Sequence, residues 1–409
     1  MRLSAGRNDR MRILITTPVD PLHAAHNRIH EFIRALSAHH DVDVVSTFAW
    51  WLQDRGTHLY GPDYGRGVLT EAVGRAKIRY LSQRETSPVV QELISVANCQ
   101  GLLGSLDAES YDLLLNYNSV LSGLAFSRIM KATPMLTDLA DDVASMVAKS
   151  WAVPGLLRPL AYAFSRYTIS QAVERSRAVL VATPKLAERY SVPKEKANLL
   201  PNGVDTQMFR RVESSLAKKQ FGLEGRNVIG YVGVLRDWVD IDLLVFTMER
   251  LRDAPEAPCL LVVGSEGGLD HLRRLSADRG LQDAIVTIGT IPYAEVPLAI
   301  SAMDIGLIPF KLNAITRNAL PMKLFEYMAC EIPVVSQRLD AIQEAVGNRV
   351  LYASSPAEFA KAITHLFATD SIRTQLGIAG RDFVESQRTW QGFGEDLEVI
   401  VERLIRAGK

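Results

Sequence analysis

The sequence predicts two doubly wound α/β domains, each a parallel sheet covered by helices. Three observations point there. Short apolar runs alternate with longer helical patterns along the whole chain. The runs are nearly continuous instead of alternating, as strands covered on both faces require. The rhythm stops at a polar stretch, VESSLAKKQFGLEGR, and then restarts. With 409 residues, the chain has enough length for two or three domains with substantial cores.

In the first series the expected strands are MRILITTP (Met11–Pro18), VDVVSTFAW (Val42–Trp50), YDLLLNY (Tyr111–Tyr117), PMLTDLA (Pro134–Ala140) and AVLVATP (Ala178–Pro184). HNRIHEFIRALSAH and ISQAVERSRA read as helices between them. In the second series they are NVIGYVG (Asn227–Gly233), CLLVVGS (Cys259–Ser265), AIVTIGT (Ala284–Thr290), MDIGLIPF (Met303–Phe310) and IPVVSQ (Ile332–Gln337). The last helix, EDLEVIVERLIRAG, is amphipathic, and its apolar face requires a docking surface.

Composition excludes several classes. Lysine plus arginine and aspartate plus glutamate are 46 each, so the formal net charge is zero and the footprint of a general nucleic-acid binder is absent. Cys99, Cys259 and Cys330 show neither a CxxC spacing nor clustered histidines, which argues against a disulfide framework or zinc site and for a reducing compartment. The apolar run before Pro18 is too short for a signal peptide. The most apolar segment, WAVPGLLRPLAYAF (Trp151–Phe164), is broken by two prolines and Arg158. Its expected role is a core or interfacial helix, which restricts membrane contact to a surface.

Ligands of such sheets bind beyond the carboxyl ends of the strands. Neither GxxxxGK[ST] nor a post-strand GxGxxG occurs. Gly230–Gly233 (GYVG) and Gly264–Gly268 (GSEGG) close consecutive strands, where glycine lets backbone amides approach an anion or simply makes a tight turn. In TRNALPMKLFEYMACEIPVVS, Pro321 opens a helix with Lys323 and Glu326 on one face, either to grip a nucleotide or as a surface ion pair.

A strand ending in PNGVD with a phenylalanine four residues on (Pro201–Phe209) resembles the interdomain junction of the GT-B glycosyltransferases, family 4 above all. The subsequent order is similar too: YVG, VVGSEGG, VTIGTIPYAEVPLAISAMDIGLIPF, then PMKLFEYMACEIPVV. The resemblance spans roughly Met11 to the C-terminal helix, and its second half is the more diagnostic. It implies two Rossmann-like domains facing a cleft. Residues 1–203 would bind the acceptor, residues 204–385 the nucleotide sugar, and residues 386–409 would pack back on the first domain.

In that family the segment matching PMKLFEYMA contacts the donor's diphosphate and ribose. By that resemblance the helix start at Pro321 would favour phosphate, Lys323 would add a point charge, and Glu326 would accept from ribose hydroxyls. Leu324, Tyr327 and Met328 lie on the other face, towards the sheet. The family's first glutamate falls on Asn318, and its arginine and lysine after the GYVG-type strand fall on Val234 and Val239. Arg236 is the candidate to supply part of that charge, with Gly233 and Gly264 approaching the donor. Backbone at Ile291 and Pro292 would pair with the base, or form a plain strand-to-helix turn.

On the first domain, MLTDLADDVASM places Asp138, Asp141 and Asp142 beyond a strand. Crowded carboxylates can raise one pKa towards that of a general base. Asp138 is the first candidate and Asp142 the second, with helix capping as the competing role. His23, His26, Asn27, Arg28 and His30 crowd the first loop. The histidines read as surface polar residues, no metal is expected, and Asn27 and Arg28 are assigned to the acceptor side. Trp50, Trp51 and Trp238 read as sugar-stacking or core aromatics.

The resemblance thus implies a cytoplasmic, metal-independent glycosyltransferase that needs no cofactor and makes peripheral contact, if any, at the inner membrane surface. It would move a sugar from a nucleotide-diphosphate donor, UDP- or GDP-linked, to a hydroxyl of a glycan, a lipid-linked sugar or a small molecule, acting as a monomer or dimer. Two other classes share the two-lobed plan: a non-hydrolysing sugar-nucleotide epimerase and a small-molecule binding protein. The first would need more acidic and histidine groups around its nucleotide.

Overall fold

The computed structural model describes residues 10–22, 24–46, 67–81, 96–102, 104, 106, 110–149, 153–264 and 267–406. His23, Trp50 and Trp51 lie outside them, as does the end of the expected strand at Val42–Trp50.

The chain divides into two compact units. The first takes Met1–His58, Leu69–Leu200 and Gly394–Lys409, and the second Leu59–Val68 and Pro201–Phe393. The first holds a seven-stranded sheet of order β3-β2-β1-β4-β5-β6-β7. Its strands are β1 (Arg12–Thr17), β2 (Asp41–Ser46), β3 (Lys77–Tyr80), β4 (Leu113–Tyr117), β5 (Met135–Leu139), β6 (Ala178–Val181) and β7 (Ala197–Leu199). The second holds a six-stranded sheet of order β10-β9-β8-β11-β12-β13. Here the strands are β8 (Val228–Val232), β9 (Cys259–Val263), β10 (Ile285–Ile288), β11 (Ile305–Ile308), β12 (Val334–Gln337) and β13 (Leu351–Ala353). Every pairing between neighbours is parallel. In both sheets the order reverses beside the first strand, so β1/β4 and β8/β11 are the switch points where loops diverge.

The ten expected strands are present, and the reason is burial. Ile13, Leu14 and Ile15 in β1 and Leu113, Leu114 and Leu115 in β4 are all fully buried, because helices cover both faces. Three strands are new: β3, β7 and β13. All three are sheet edges, and β3 (KIRY) exposes alternate residues, so it lacks the continuous apolar run.

Three helical features bear on the expectations. The helix Arg28–His39 follows β1, with Asn27 as N-cap: its side chain accepts from the Ile29 amide, while His30 Nδ1 accepts from the Asn27 amide. The final helix, Trp390–Arg406, places its residues from Gly394 on in the first unit, where Glu398 meets His40 at 2.8 Å and Arg403 donates to Asn198. The apolar segment after Val153 becomes a 3-10 turn and the helix Arg158–Arg175. It is not a core helix, since Leu156, Leu160 and Phe164 stand at the surface.

Candidate functional site

In the second unit, the chemistry collects at the carboxyl ends of β8, β9 and β11. Gly233, the residue after β8, has φ 128° and donates its amide to the Val263 carbonyl of β9. Gly264, the residue after β9, has φ 147°, and a side chain there would run into the Gly233 carbonyl. Both backbone angles lie where L side chains are strained. The two glycines therefore do more than turn the chain: they let two post-strand loops touch. A Cβ at Gly233 would also lie 2.7 Å from the Lys323 ammonium.

Lys323 sits in the first turn of the helix Met322–Ala329. Its Nζ donates to the Tyr231 hydroxyl at 2.7 Å, lies 4.0 Å from the Tyr231 ring centroid and 5.5 Å from that of Phe310. The Tyr231 hydroxyl in turn donates to the Val234 carbonyl. Enclosure by protein atoms lowers the lysine pKa to about 7, and the nearby charge of Glu326 pulls it back upward. Glu326 is 8% exposed and accepts from the Tyr293 hydroxyl at 3.3 Å. Pro321 is the N-cap residue, one position before the first helical one, and no side chain caps the helix. Leu324, Tyr327 and Met328 are buried, with Phe325 beside them; Tyr327 meets the sheet, while Met328 faces Gly380 of the helix Asp370–Gln387. The Tyr327 hydroxyl accepts from the Val232 amide at 2.8 Å and pins the helix to β8.

The remaining sequence candidates fall around this centre with unequal burial. Asn318 ends a 3-10 turn and is half-buried. Arg236 is exposed in the turn after β8. Ile291 and Pro292 are half-buried between β10 and the 3-10 turn Tyr293–Glu295. The PNGVD segment is structural: Asn202 donates to the Leu320 carbonyl just ahead of Pro321, and Asp205 accepts from the Gln207 and Met208 amides. Phe209 is fully buried with its ring 5.8 Å from that of Tyr293. Tyr231, Tyr293 and Phe310 escaped the sequence reading. Tyr231 lies inside the YVG strand, but nothing in one sequence says which ring meets a lysine some ninety residues on.

In the first unit the acidic cluster separates into three environments. Asp138, fully buried at the end of β5, accepts from Arg28 Nε at 3.1 Å and Arg28 Nη2 at 2.5 Å. Arg28 is 1% exposed, gives its other nitrogen to the Leu200 carbonyl at 2.7 Å, and stacks over Phe32. Burial pushes the Asp138 carboxyl up and the guanidinium pulls it back. Asp142 accepts from the Ser145 hydroxyl and amide and the Tyr190 hydroxyl and forms an ion pair with Arg189, so it fixes the start of the helix Val143–Lys149. Asp141 differs. It is exposed, yet the protein crowded around it pushes its carboxyl up to about 6; Arg28 opposes this, and Asp138 and Asp142 add to it.

The first loop corrects two expectations. Arg28 is buried in an ion pair and does not face an acceptor. His26 and His30 have buried side chains and are not superficial: His26 Nε2 meets Glu31 Oε1 at 2.6 Å, and the two rings stack at 5.6 Å. Burial pushes His30 down to about 4, keeping it neutral. Among the described residues no group of three or more His, Cys, Asp or Glu side chains is placed to hold a metal ion.

The fold is GT-B, two parallel-sheet α/β units of the kind found in glycosyltransferases of that name. Residues 226–369, which carry Gly233, Lys323 and Glu326, match the family described as glycosyl transferases group 1. Over 210 residues the chain is 25% identical to a GDP-mannose-dependent alpha-(1-6)-phosphatidylinositol monomannoside mannosyltransferase of Mycolicibacterium smegmatis, covering 49% of this chain and 55% of that one. It is 27% identical over 239 residues to a 2-deoxystreptamine N-acetyl-D-glucosaminyltransferase of Streptomyces fradiae, covering 56% and 54% of the two chains. The chain thus spans about half the length of the curated relatives it matches. Among solved structures, sucrose-phosphate synthase of Thermosynechococcus elongatus superposes with a TM-score of 0.77 at 19% identity, over 97% of this chain and 100% of that one. HepE of Anabaena, solved with UDP and glucose, superposes with a TM-score of 0.72 at 13% identity, over 96% and 100%.

The Gly233 contact makes a sharp prediction. Gly233→Ala forces both a strained φ and displacement of the Lys323 ammonium, since a Cβ 2.7 Å away leaves no room. Strain alone should cost about 1–3 kcal/mol. Chemical denaturation should read that loss, and the shifted lysine should titrate nearer its ordinary value.

Proposed function

We propose that this protein is a glycosyltransferase which moves a sugar from a UDP- or GDP-linked donor to a hydroxyl of a glycan, a lipid-linked sugar or a small molecule. The observation that carries the reading is the Lys323 ammonium, fixed beyond β8 between Tyr231 and Phe310 at the first turn of a helix no side chain caps. As the glycosidic bond breaks, negative charge develops on the departing diphosphate. A preorganised ammonium and free helix amides stabilise it where water is scarce. Glu326 takes the ribose hydroxyls, the backbone at Ile291 and Pro292 the base, and Arg236 and the glycines 233 and 264 the rest of the donor. Asn318 occupies the position of a second acidic ligand. No cofactor is invoked. The relatives named for GDP-mannose and the neighbour solved with UDP support a nucleotide-sugar donor.

Acid–base work passes to Asp141 in this reading. Asp138 and Asp142 have their lone pairs engaged by Arg28, Ser145, Tyr190 and Arg189. Asp141 combines exposure with a carboxyl pushed up to about 6, suiting it to accept the acceptor's proton. Asn27, half-buried at the start of its helix, remains an acceptor-side contact. If Asp141 is the base, kcat rises with pH through about 6, and Asp141→Asn lowers it by about 10²–10⁴-fold and removes that limb. An unchanged profile in the variant would exclude the role.

The three cysteines are buried thiols, and no helix among the described residues is long and apolar enough to cross a membrane. The proposal places the work in the cytoplasm, by a monomer or dimer. The decisive experiment is a thermal-shift panel of UDP- and GDP-sugars, followed by assay of nucleotide release with candidate acceptors. A specific donor raises the melting temperature by mass action. Release only when an acceptor is present separates a transferase from an epimerase or binding protein.

A further inference from the structure

We infer that the solvent face of the helix Arg158–Arg175, with the 3-10 turn before it, docks onto an anionic lipid surface. The proposal stands apart from the donor reading. Leu156 is 97% exposed, Leu157 51%, Leu160 67%, Phe164 49% and Tyr167 60%. From Leu157 on, the spacing is three, four and three residues, a single stripe on one side of the helix. The large apolar side chains exposed elsewhere among the described residues are mostly scattered, whereas these five fall within residues 156–167. Isolated exposed apolar residues need no explanation, but a contiguous patch marks an interaction site.

The opposite face of the helix sharpens the point. Ile169, Ala172 and Val173 are buried with Ser165 and Thr168, and Ile169 and Val173 pack with Leu139, Val179 and Val181. The Thr168 hydroxyl has to donate back to the Ser165 carbonyl. An ordinary surface helix turns its hydroxyls to water and its leucines to the core. Here the larger apolar side chains face outward, at a cost that an apolar surface in contact would recover.

Charge selects the occupant. Between Asp142 and Glu174 the sequence contains no acidic residue but three basic ones, Lys149, Arg158 and Arg166. Lys149 and Arg158 are exposed, and the helix Val143–Lys149, packed against this one, adds exposed Met146. A leucine- and aromatic-rich stripe with exposed Lys149 and Arg158 beside its first turns, and the helix's one acid, Glu174, seven residues beyond Tyr167, matches the boundary between acyl chains and anionic headgroups. A second copy of the same face would instead set base against base.

The test is co-sedimentation of the full chain with vesicles of phosphatidylcholine, with and without one third phosphatidylglycerol. The wild type should bind the anionic vesicles at least about tenfold more tightly than the neutral ones. Leu160→Glu/Phe164→Glu, both at the surface, should lose that binding by a similar factor or more with an unchanged melting temperature. Arg158→Glu should weaken only the anionic preference. Failure of the wild type to co-sediment, or retention of binding by the double variant, overturns the proposal. So does a lipid-free wild-type dimer, read by equilibrium sedimentation, that the double variant dissociates, because the face would then be covered by a second copy.

Discussion

Replacing Lys323 with alanine should abolish the donor-induced rise in melting temperature and lower kcat/KM by about 10²–10³-fold, the usual loss when one preorganised donor to a developing anion is removed. The same lysine sets a pH dependence of known sign. In the free protein its pKa is about 7, far below its ordinary value, because enclosure disfavours the charged form. A bound diphosphate stabilises the ammonium and raises that pKa. Donor affinity should therefore be flat below about pH 7 and weaken as pH rises above it, by up to tenfold per unit until the pKa of the complex is reached. A nucleotide sugar is the right probe, as its diphosphate does not titrate in this range.

The stability of the free protein moves the opposite way. Unfolded, the lysine keeps its proton up to its ordinary pKa, so between about 7 and 10 the unfolded chain binds more protons than the folded one. The cost of enclosing a charged lysine is fully present below pH 7 and relieved as pH rises. Calorimetry on wild type and Lys323→Met isolates this contribution. Equal pH slopes in the two proteins would mean that the lysine is not enclosed as described.

Arg28→Ala should cost about 3–5 kcal/mol, since it leaves the Asp138 carboxylate buried without its bidentate partner. In melting temperature that is a fall on the order of 10 °C. The double variant Arg28→Met/Asp138→Leu should recover most of the loss, because removing both charges removes the desolvation penalty along with the attraction. A double variant as unstable as the single one would show that Arg28 acts mainly through Leu200 and Phe32.

The strands at the sheet centres were legible because burial on both faces writes itself as an unbroken apolar run, as in β1, β4 and β8. The edge strands β3, β7 and β13 were not, since an edge is half in water and admits polar residues such as those of KIRY. The same contrast holds at the site. In PMKLFEYMA the placing of Lys323 and Glu326 one turn apart was readable because both lie on one helix, where spacing in sequence is spacing in space. The partners of Asp138, Asp141 and Asp142 were not, because they arrive from elsewhere: Arg28 is 110 residues from Asp138. Three neighbouring aspartates, of which the sequence put Asp138 first and Asp142 second, become an ion-pair member, an exposed acid and a helix cap.

The sequence alone thus determined the two parallel sheets, their restart after a polar linker, and a lysine and glutamate one turn apart at a helix start. Those features are local or periodic, and periodicity is set by burial. The tertiary structure decided which glycine makes room for the lysine, which rings enclose it, which aspartate keeps its acidity near 6, and that the larger apolar side chains of the helix Arg158–Arg175 face outward. Each of these depends on contacts between residues far apart in the chain, and a protonation state follows from the charges and atoms that folding gathers around a group.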